Sequence, residues 1–87
     1  MKQPHLLCEA KDIASAVLLP GDPDRVLRVA AQLDQWREVA CNREFRTITG
    51  WYQQVQVTVT STGIGGASAT IAVEELAACG AKSFIRI

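Results

Sequence analysis

The order of hydrophobic and polar positions along the chain predicts alternating strands and helices. Residues 16–19 form a short continuous apolar run, which is typical of a central strand. Apolar residues then recur at helical spacing and predict a helix over residues 23–34, with Asp22 as its N-cap and Pro23 at its first position. The recurring residues are Val26, Val29, Ala30 and Leu33.

The middle of the chain has the composition of β-structure. A short strand is expected at residues 38–41. Residues 45–52 and 55–60 are rich in β-branched and aromatic side chains, which predicts two antiparallel strands joined near Gln53 and Gln54. In the second of these strands valines alternate with polar residues, so we expect one buried face.

A second helix and a last strand complete the pattern. Residues 67–79 are expected to form a helix that ends at Gly80, with Glu74 and Glu75 on its polar side. Its apolar side would carry Ala69, Ala72, Val73, Leu76 and Ala77. Residues 82–87 are interpreted as a buried strand, and residues 1–14 as a polar arm with a few apolar anchors. The whole pattern predicts an α/β fold with a mixed sheet flanked by helices.

Composition narrows the class of protein. The 87 residues suffice for one small domain, and nine basic residues balance nine acidic ones, so no basic surface for a nucleic acid is expected. The longest apolar run is far shorter than a membrane span, and the N-terminus has no apolar leader. Three widely spaced cysteines suit reduced, mostly buried thiols in a cytoplasmic protein.

Because a parallel sheet normally continues through a helix, we expect residues 1–87 to be one part of a longer domain.

The first glycine-rich turn, at residues 19–26, is a candidate anion site. Gly21 would let the backbone approach an anion closely, and Arg25 could fork onto phosphate oxygens from the following helix. The same residues also suit an ordinary strand-to-helix turn in which Arg25 pairs with a surface acid. The local pattern leaves both interpretations open.

Three further polar residues, one of them in a strand, are considered as candidates. Arg86 lies in an apolar strand, so it should either face a polar site or pair with a buried acid, and the strand end favours a ligand. Arg43 and His5, taken alone, are more typical of solvated surface residues.

The second glycine-rich turn, at residues 60–68, allows three interpretations. Gly63, Gly65 and Gly66 partly match a dinucleotide-binding motif, but Ser68 stands where its third glycine would be. The glycines could instead serve close packing of a helix on a strand. The third interpretation is a site for a small anion or a nucleoside.

Taken together, six blocks of this sequence resemble the purine and uridine phosphorylases, the hexamer-forming nucleoside phosphorylases. The blocks are Pro4-His5, LPGDPDRV at 19–26, NREF at 42–45, STGIGGAS at 61–68, IAVEEL at 71–76 and FIRI at 84–87. The resemblance implies the N-terminal part of that fold and reversible phosphorolysis of a ribonucleoside, which gives a free base and ribose 1-phosphate. It also implies a homo-oligomer built from dimers, with phosphate as co-substrate and no organic cofactor.

The resemblance assigns roles to the candidate residues. Gly21, Arg25 and Arg86 match phosphate-binding positions, and Arg43 matches an arginine that reaches the phosphate site of a neighbouring subunit. Holding phosphate beside the oxocarbenium-like centre needs positioning and charge but no nucleophilic side chain, so no other catalytic residue is expected in this chain.

Two further groups of residues match the ribose and cation positions of the family. His5 matches a histidine that contacts the ribose 5′-hydroxyl across the subunit interface, and Ile64 matches a ribose-contacting position. Bacterial uridine phosphorylases hold a potassium ion between subunits, and the matching residues are Glu44, the Ile64 carbonyl and Ser68.

The branch of the family and the rival functions stay open at this level. Residues 43–45 and 61–66 favour a uridine phosphorylase, whereas the arm is equally similar to purine and methylthioadenosine phosphorylases. Rivals are a non-catalytic fragment, a nucleotide-binding module and a nucleosidase that uses water in place of phosphate. Because the family's ribose-gripping glutamate and base-recognition residues fall beyond Ile87, this chain alone is expected to be inactive.

Overall fold

A computed structural model describes residues 2–87, and Met1, the first residue of the predicted arm, lies outside the described residues. The described chain forms a five-stranded sheet and two α-helices, preceded by one short 3₁₀ turn. In chain order these are the 3₁₀ turn Ala10–Asp12, β1 (Ala16–Leu19), α1 (Pro23–Ala30), β2 (Gln35–Asn42), β3 (Phe45–Tyr52), β4 (Val55–Thr60), α2 (Gly66–Ala78) and β5 (Ser83–Arg86).

The sheet is mixed, as the sequence predicts, with the strand order β2-β3-β4-β1-β5. The neighbours β2, β3 and β4 run antiparallel, whereas β1 runs parallel to both β4 and β5. Since the carboxyl ends of parallel strands meet at one edge, the turns after β1 and β4 and the end of β5 lie together.

The first helix is shorter than predicted. Asp22 caps it through a 2.9 Å bond from the Asp24 N–H, as expected, but the helix ends at Ala30 instead of residue 34. Beyond Ala30 the chain tightens into i→i+3 bonds, and the Asp34 N–H donates to the carbonyl of Trp51. Hydrogen bonding to the sheet therefore replaces a further turn of helix, although the apolar residues continue at helical spacing. As a result β2 begins at Gln35, three residues before the predicted strand.

The predicted hairpin is confirmed at its predicted bounds, but its burial pattern is different. Gln53 and Gln54 form the turn with φ of +49° and +72°. The single-face prediction for β4 is wrong in its second half, where Thr58 and Thr60 are as fully buried as Val59. The threonines are accommodated because their hydroxyls are paired across the strands, Thr58 with Thr49 at 2.8 Å among them.

The second helix ends as predicted, at a left-handed glycine. Gly80 has φ of +101°, its N–H donates to the carbonyl of Ala77, and the N–H of Ala81 donates to that of Leu76. These two bonds form a Schellman motif. The assignment of Glu75 to the polar face is wrong, because Glu75 is only 8% exposed while Ala77 is exposed.

The two faces of the sheet carry separate cores. Val17 and Leu19 of β1 belong to a cluster formed with α2 and the arm, while Leu18 packs with α1 on the other face. Because successive side chains of β1 point to opposite faces of the sheet, this one strand contributes to both cores. The prediction that the last strand is buried is wrong in this chain: β5 pairs only with β1 among the described strands, and Ile85 is 57% exposed. Within residues 2–87 no helix is long and apolar enough to cross a membrane.

Candidate functional site

The two glycine-rich turns lie side by side at the carboxyl edge of the parallel strands. The Thr62 N–H after β4 donates to the carbonyl of Pro20 after β1 at 3.0 Å. A Cβ built on Gly21 would stand 3.5 Å from the carbonyl oxygen of Gly63. These contacts join two turns that are some forty residues apart in sequence.

Arg86 reaches the same place from β5. Its backbone pairs with Leu19, the last residue of β1, and a Cβ on Gly21 would lie 3.7 Å from its Nη2 atom. Arg86 is exposed, and none of the ion pairs among residues 2–87 involves it. Of the two options that the sequence left, an open polar edge therefore fits better than a buried acid partner.

Arg25 lies in the first turn of α1, directly after Gly21 and its cap. It is exposed, and no acid partner for it is found among the described residues. The N–H groups of that turn are already used: Pro23 has none, Asp24 donates to the Asp22 side chain, and Arg25 donates to the Asp22 carbonyl. An anion here would therefore meet guanidinium groups and the Gly21 backbone instead of a free helix N-terminus.

The second turn lies against a negative charge from another part of the chain. Glu44, from the turn between β2 and β3, accepts a 2.8 Å hydrogen bond from the Ser68 hydroxyl in the first turn of α2. Its own backbone N–H and the Ser68 hydroxyl hold the pKa of Glu44 below its usual value. Gly63 has φ of +72°, and a Cβ there would stand 3.0 Å from Cγ of Glu44, so this position requires glycine.

This carboxylate separates the interpretations of the second turn. An ionised Glu44 beside α2 would repel any anion placed at the start of that helix, a dinucleotide pyrophosphate included, so an anion at this edge is better placed on the side of Gly21 and Arg86. The packing interpretation is wrong for two of the glycines: a Cβ on Gly66 would meet nothing within 4 Å, and one on Gly65 only the Ser68 hydroxyl at 3.8 Å. Ile64 projects into solvent, with 99% of its surface exposed.

Among residues 2–87, no hydrogen bond or ion pair joins His5 or Arg43 to the Gly21 turn. The ring Nδ1 of His5 lies 2.6 Å from Oε2 of Glu75, and its backbone carbonyl accepts a 2.8 Å bond from Asn42. The His5 ring is also close enough to Glu44 to help hold the pKa of that carboxyl below its usual value. Arg43, with φ of +55°, is exposed on the turn between β2 and β3.

Glu75 is the residue of this region that sequence reasoning missed. The sequence prediction places Glu75 with Glu74 on the side of the helix opposite its apolar residues. One signal could have found it, because positions 72, 75, 76 and 79 share one helical face and the other three are Ala72, Leu76 and Cys79. All four are buried.

The comparisons with known proteins decide the family. The family model described as Phosphorylase superfamily matches residues 15–87. The chain belongs to the phosphorylase superfamily. Across 98% of its length it is 55% identical to a uridine phosphorylase from Thermococcus kodakarensis and 47% identical to a guanosine phosphorylase from Halorubrum lacusprofundi.

Solved structures of the superfamily share the fold of this chain. A uridine phosphorylase from Vibrio fischeri superposes with a TM-score of 0.97 at 43% identity, over 99% of this chain and 36% of that one. A purine nucleoside phosphorylase from Toxoplasma gondii, in complex with immucillin-H, gives 0.96 at 41% identity over 99% and 35%. The chain covers 31% and 35% of the two curated relatives, so it spans about a third of their length.

Proposed function

We propose that residues 1–87 are the N-terminal part of a nucleoside phosphorylase, a pentosyltransferase, with uridine as the favoured nucleoside. The observation that carries the proposal is the meeting of Gly21, the Gly63 turn and Arg86 at one strand edge. An arginine beside a close backbone approach suits a phosphate dianion. Membership of the superfamily and identity to uridine phosphorylases support the same reaction.

In the proposed reaction a phosphate oxygen forms a bond to the ribose anomeric carbon while the bond from that carbon to the base nitrogen breaks. The base leaves with the electron pair and takes up a proton, and ribose 1-phosphate remains. Arg25 and Arg86 would hold phosphate beside the positive charge that develops on the sugar, which lowers the barrier through position and charge. Arg43 and His5, which make no hydrogen bond to this turn within residues 2–87, would serve a neighbouring subunit of a homo-oligomer.

Guanosine or another purine nucleoside is the second candidate substrate. The Halorubrum relative is named a guanosine phosphorylase, and the Toxoplasma structure is a purine nucleoside phosphorylase. A cytoplasmic location in nucleoside salvage would suit either substrate and the three free thiols.

The full-length protein tests the proposal in one assay. Uridine, inosine and guanosine are each incubated with and without phosphate, and free base and ribose 1-phosphate are measured. We expect base release from uridine to depend on phosphate and to match ribose 1-phosphate mole for mole. Equal base release without phosphate would identify a nucleosidase, and no turnover of any nucleoside would favour a non-catalytic protein.

We also propose that Glu44 and Ser68, with the carbonyl of Ile64, hold a potassium ion. Glu44 and Ser68 are already 2.8 Å apart, and their oxygens are donors that a hard cation prefers. Groups of three or more His, Cys, Asp or Glu that could hold a metal are absent from residues 2–87, so other donors, from a partner subunit, would complete the shell. The ion would supply positive charge that joins subunits and would take no part in bond making.

Exchanging potassium for tetramethylammonium is therefore expected to lower phosphorolysis several-fold, because the larger cation cannot enter an oxygen cage. The Glu44→Gln variant should be slow in both salts, since it lacks the charge that holds the ion. Glu74→Gln, which removes an exposed carboxylate from α2, the helix that carries Ser68, is the control. Equal rates of the unaltered protein in the two salts would refute the cation site.

A further inference from the structure

One buried carboxylate on α2 gathers the polar groups of the N-terminal arm. Oε1 of Glu75 accepts the Leu6 N–H at 2.9 Å and the His5 N–H at 3.1 Å. Oε2 faces the Nδ1 atom of His5 at 2.6 Å. Glu75 is 8% exposed and lies seventy residues from His5 in sequence, so this contact is a tertiary one that the fold builds.

The carboxylate in this contact is ionised. Burial alone would raise the pKa of Glu75, but the bonds from the Leu6 N–H, the His5 ring and the His5 N–H together hold it below its usual value. An ionised carboxylate can only accept hydrogen bonds. The proton between the two side chains therefore lies on Nδ1 of His5, so whenever the ring carries a single proton its Nε2 is an acceptor.

The arm is held from two other sides as well. The Asn42 side chain donates to the His5 carbonyl at 2.8 Å, and Leu6 is buried with 1% of its surface exposed. The His5 side chain nevertheless keeps 49% of its surface exposed. Glu44, on the turn between β2 and β3, interacts through space with His5 and with Arg43. The ring is thus fixed at one nitrogen and open at the other.

We propose that Glu75 is the positioning residue for His5, fixing both the direction of the ring and its tautomer so that Nε2 accepts a hydrogen bond from a substrate hydroxyl. The inference rests on the proposed function, in which His5 contacts the ribose 5′-hydroxyl in a neighbouring subunit. Glu75 itself touches no substrate. It acts from inside the fold through the ring that it orients, as outer carboxylates orient histidines at metal centres.

The Glu75→Gln variant separates positioning from simple support. A glutamine can keep its carbonyl oxygen on the Leu6 and His5 N–H groups, and its amide nitrogen then donates to Nδ1. The ring proton would have to move to Nε2, and the acceptor that faces the substrate would become a donor. The variant thus keeps shape and hydrogen-bond number but inverts the tautomer.

Two measurements on the full-length protein test the proposal. Nitrogen-15 NMR of the His5 ring, assigned by comparison with His5→Gln, should show the Nδ1–H tautomer in the unaltered protein and the Nε2–H tautomer in Glu75→Gln. In kinetics, the KM for the best nucleoside should rise about 3- to 10-fold in the variant, the effect of one neutral hydrogen bond, with kcat and the phosphate KM unchanged. The KM of its 5′-deoxy analogue should stay within about twofold.

Glu74→Gln is the matched control, and it should change neither readout because its side chain is exposed. An equal rise in KM for the nucleoside and its 5′-deoxy analogue would overturn the proposal in favour of a structural role. So would an unaltered protein with the Nε2–H tautomer. An unaltered protein that releases no base in the presence of phosphate would instead overturn the proposed function, and with it the substrate role of His5.

Discussion

Replacing Arg86 with alanine in the full-length protein is expected to raise the phosphate KM roughly 10- to 100-fold, because the anion loses a charge-assisted, two-pronged donor. The guanidinium lies 3.7 Å from the space that a Cβ on Gly21 would fill, at the edge where the strand ends meet. Arg25→Ala should act in the same direction from α1. Initial rates across a range of phosphate concentrations at saturating nucleoside measure the effect.

Arg28→Ala is the matched control for both variants, because it removes an exposed arginine from the last turn of α1. It should leave the phosphate KM within about twofold. Arg86→Lys should be intermediate, since lysine keeps the charge but loses the planar fork. Unchanged phosphate kinetics in both Arg25→Ala and Arg86→Ala would contradict the assignment of this edge as the phosphate site.

Gly50→Ala is expected to destabilise the protein by about 2–4 kcal/mol, the range of a severe steric clash with backbone. Gly50 lies in β3 opposite Trp36, and a Cβ at Gly50 would collide with the Gln35 carbonyl. It would also stand 2.9 Å from Cδ1 of Leu33. A backbone carbonyl within a paired strand cannot move aside without breaking the ladder. Urea unfolding and the Tm of the full-length protein measure the loss.

Gly66→Ala provides the comparison for Gly50→Ala. A Cβ on Gly66 would meet no atom within 4 Å, and alanine is a better helix former at the start of α2. We expect its free energy of unfolding to stay within about 1 kcal/mol of the unaltered protein. Equal destabilisation by the two substitutions would show that the crowding around Gly50 is not what requires glycine there.

Much of the fold could be predicted because local signals and tertiary structure agree. Asp22 and Pro23 mark the start of α1, and Gly80 marks the end of α2, through caps that involve only neighbouring residues. The failures occur where a distant partner decides. Leu33 continues the helical period, yet the chain leaves the helix before it because the next residue, Asp34, bonds to Trp51.

In the candidate site, too, single residues could be predicted from the sequence, whereas contacts between distant residues could not. Gly21 and Arg86 could be singled out individually, but only the parallel pairing of β1 with β5 brings them together. The helical face of α2 indicates that Glu75 is buried, but its partners His5 and Leu6 could not be predicted, because they come from an arm that no periodicity positions. A role that depends on local geometry can be predicted from the sequence, whereas a contact between residues about seventy positions apart cannot.

The pairing of β1 also has a consequence for the order in which the molecule folds. Val17 pairs with Thr58 on one side and with Phe84 on the other, whereas β2, β3 and β4 pair with their immediate neighbours in sequence. Short loops close before long ones, so the antiparallel meander can form while β1, made first on the ribosome, still waits for both partners. We therefore expect the edge that carries Gly21 and Arg86 to be among the last parts of the chain to form.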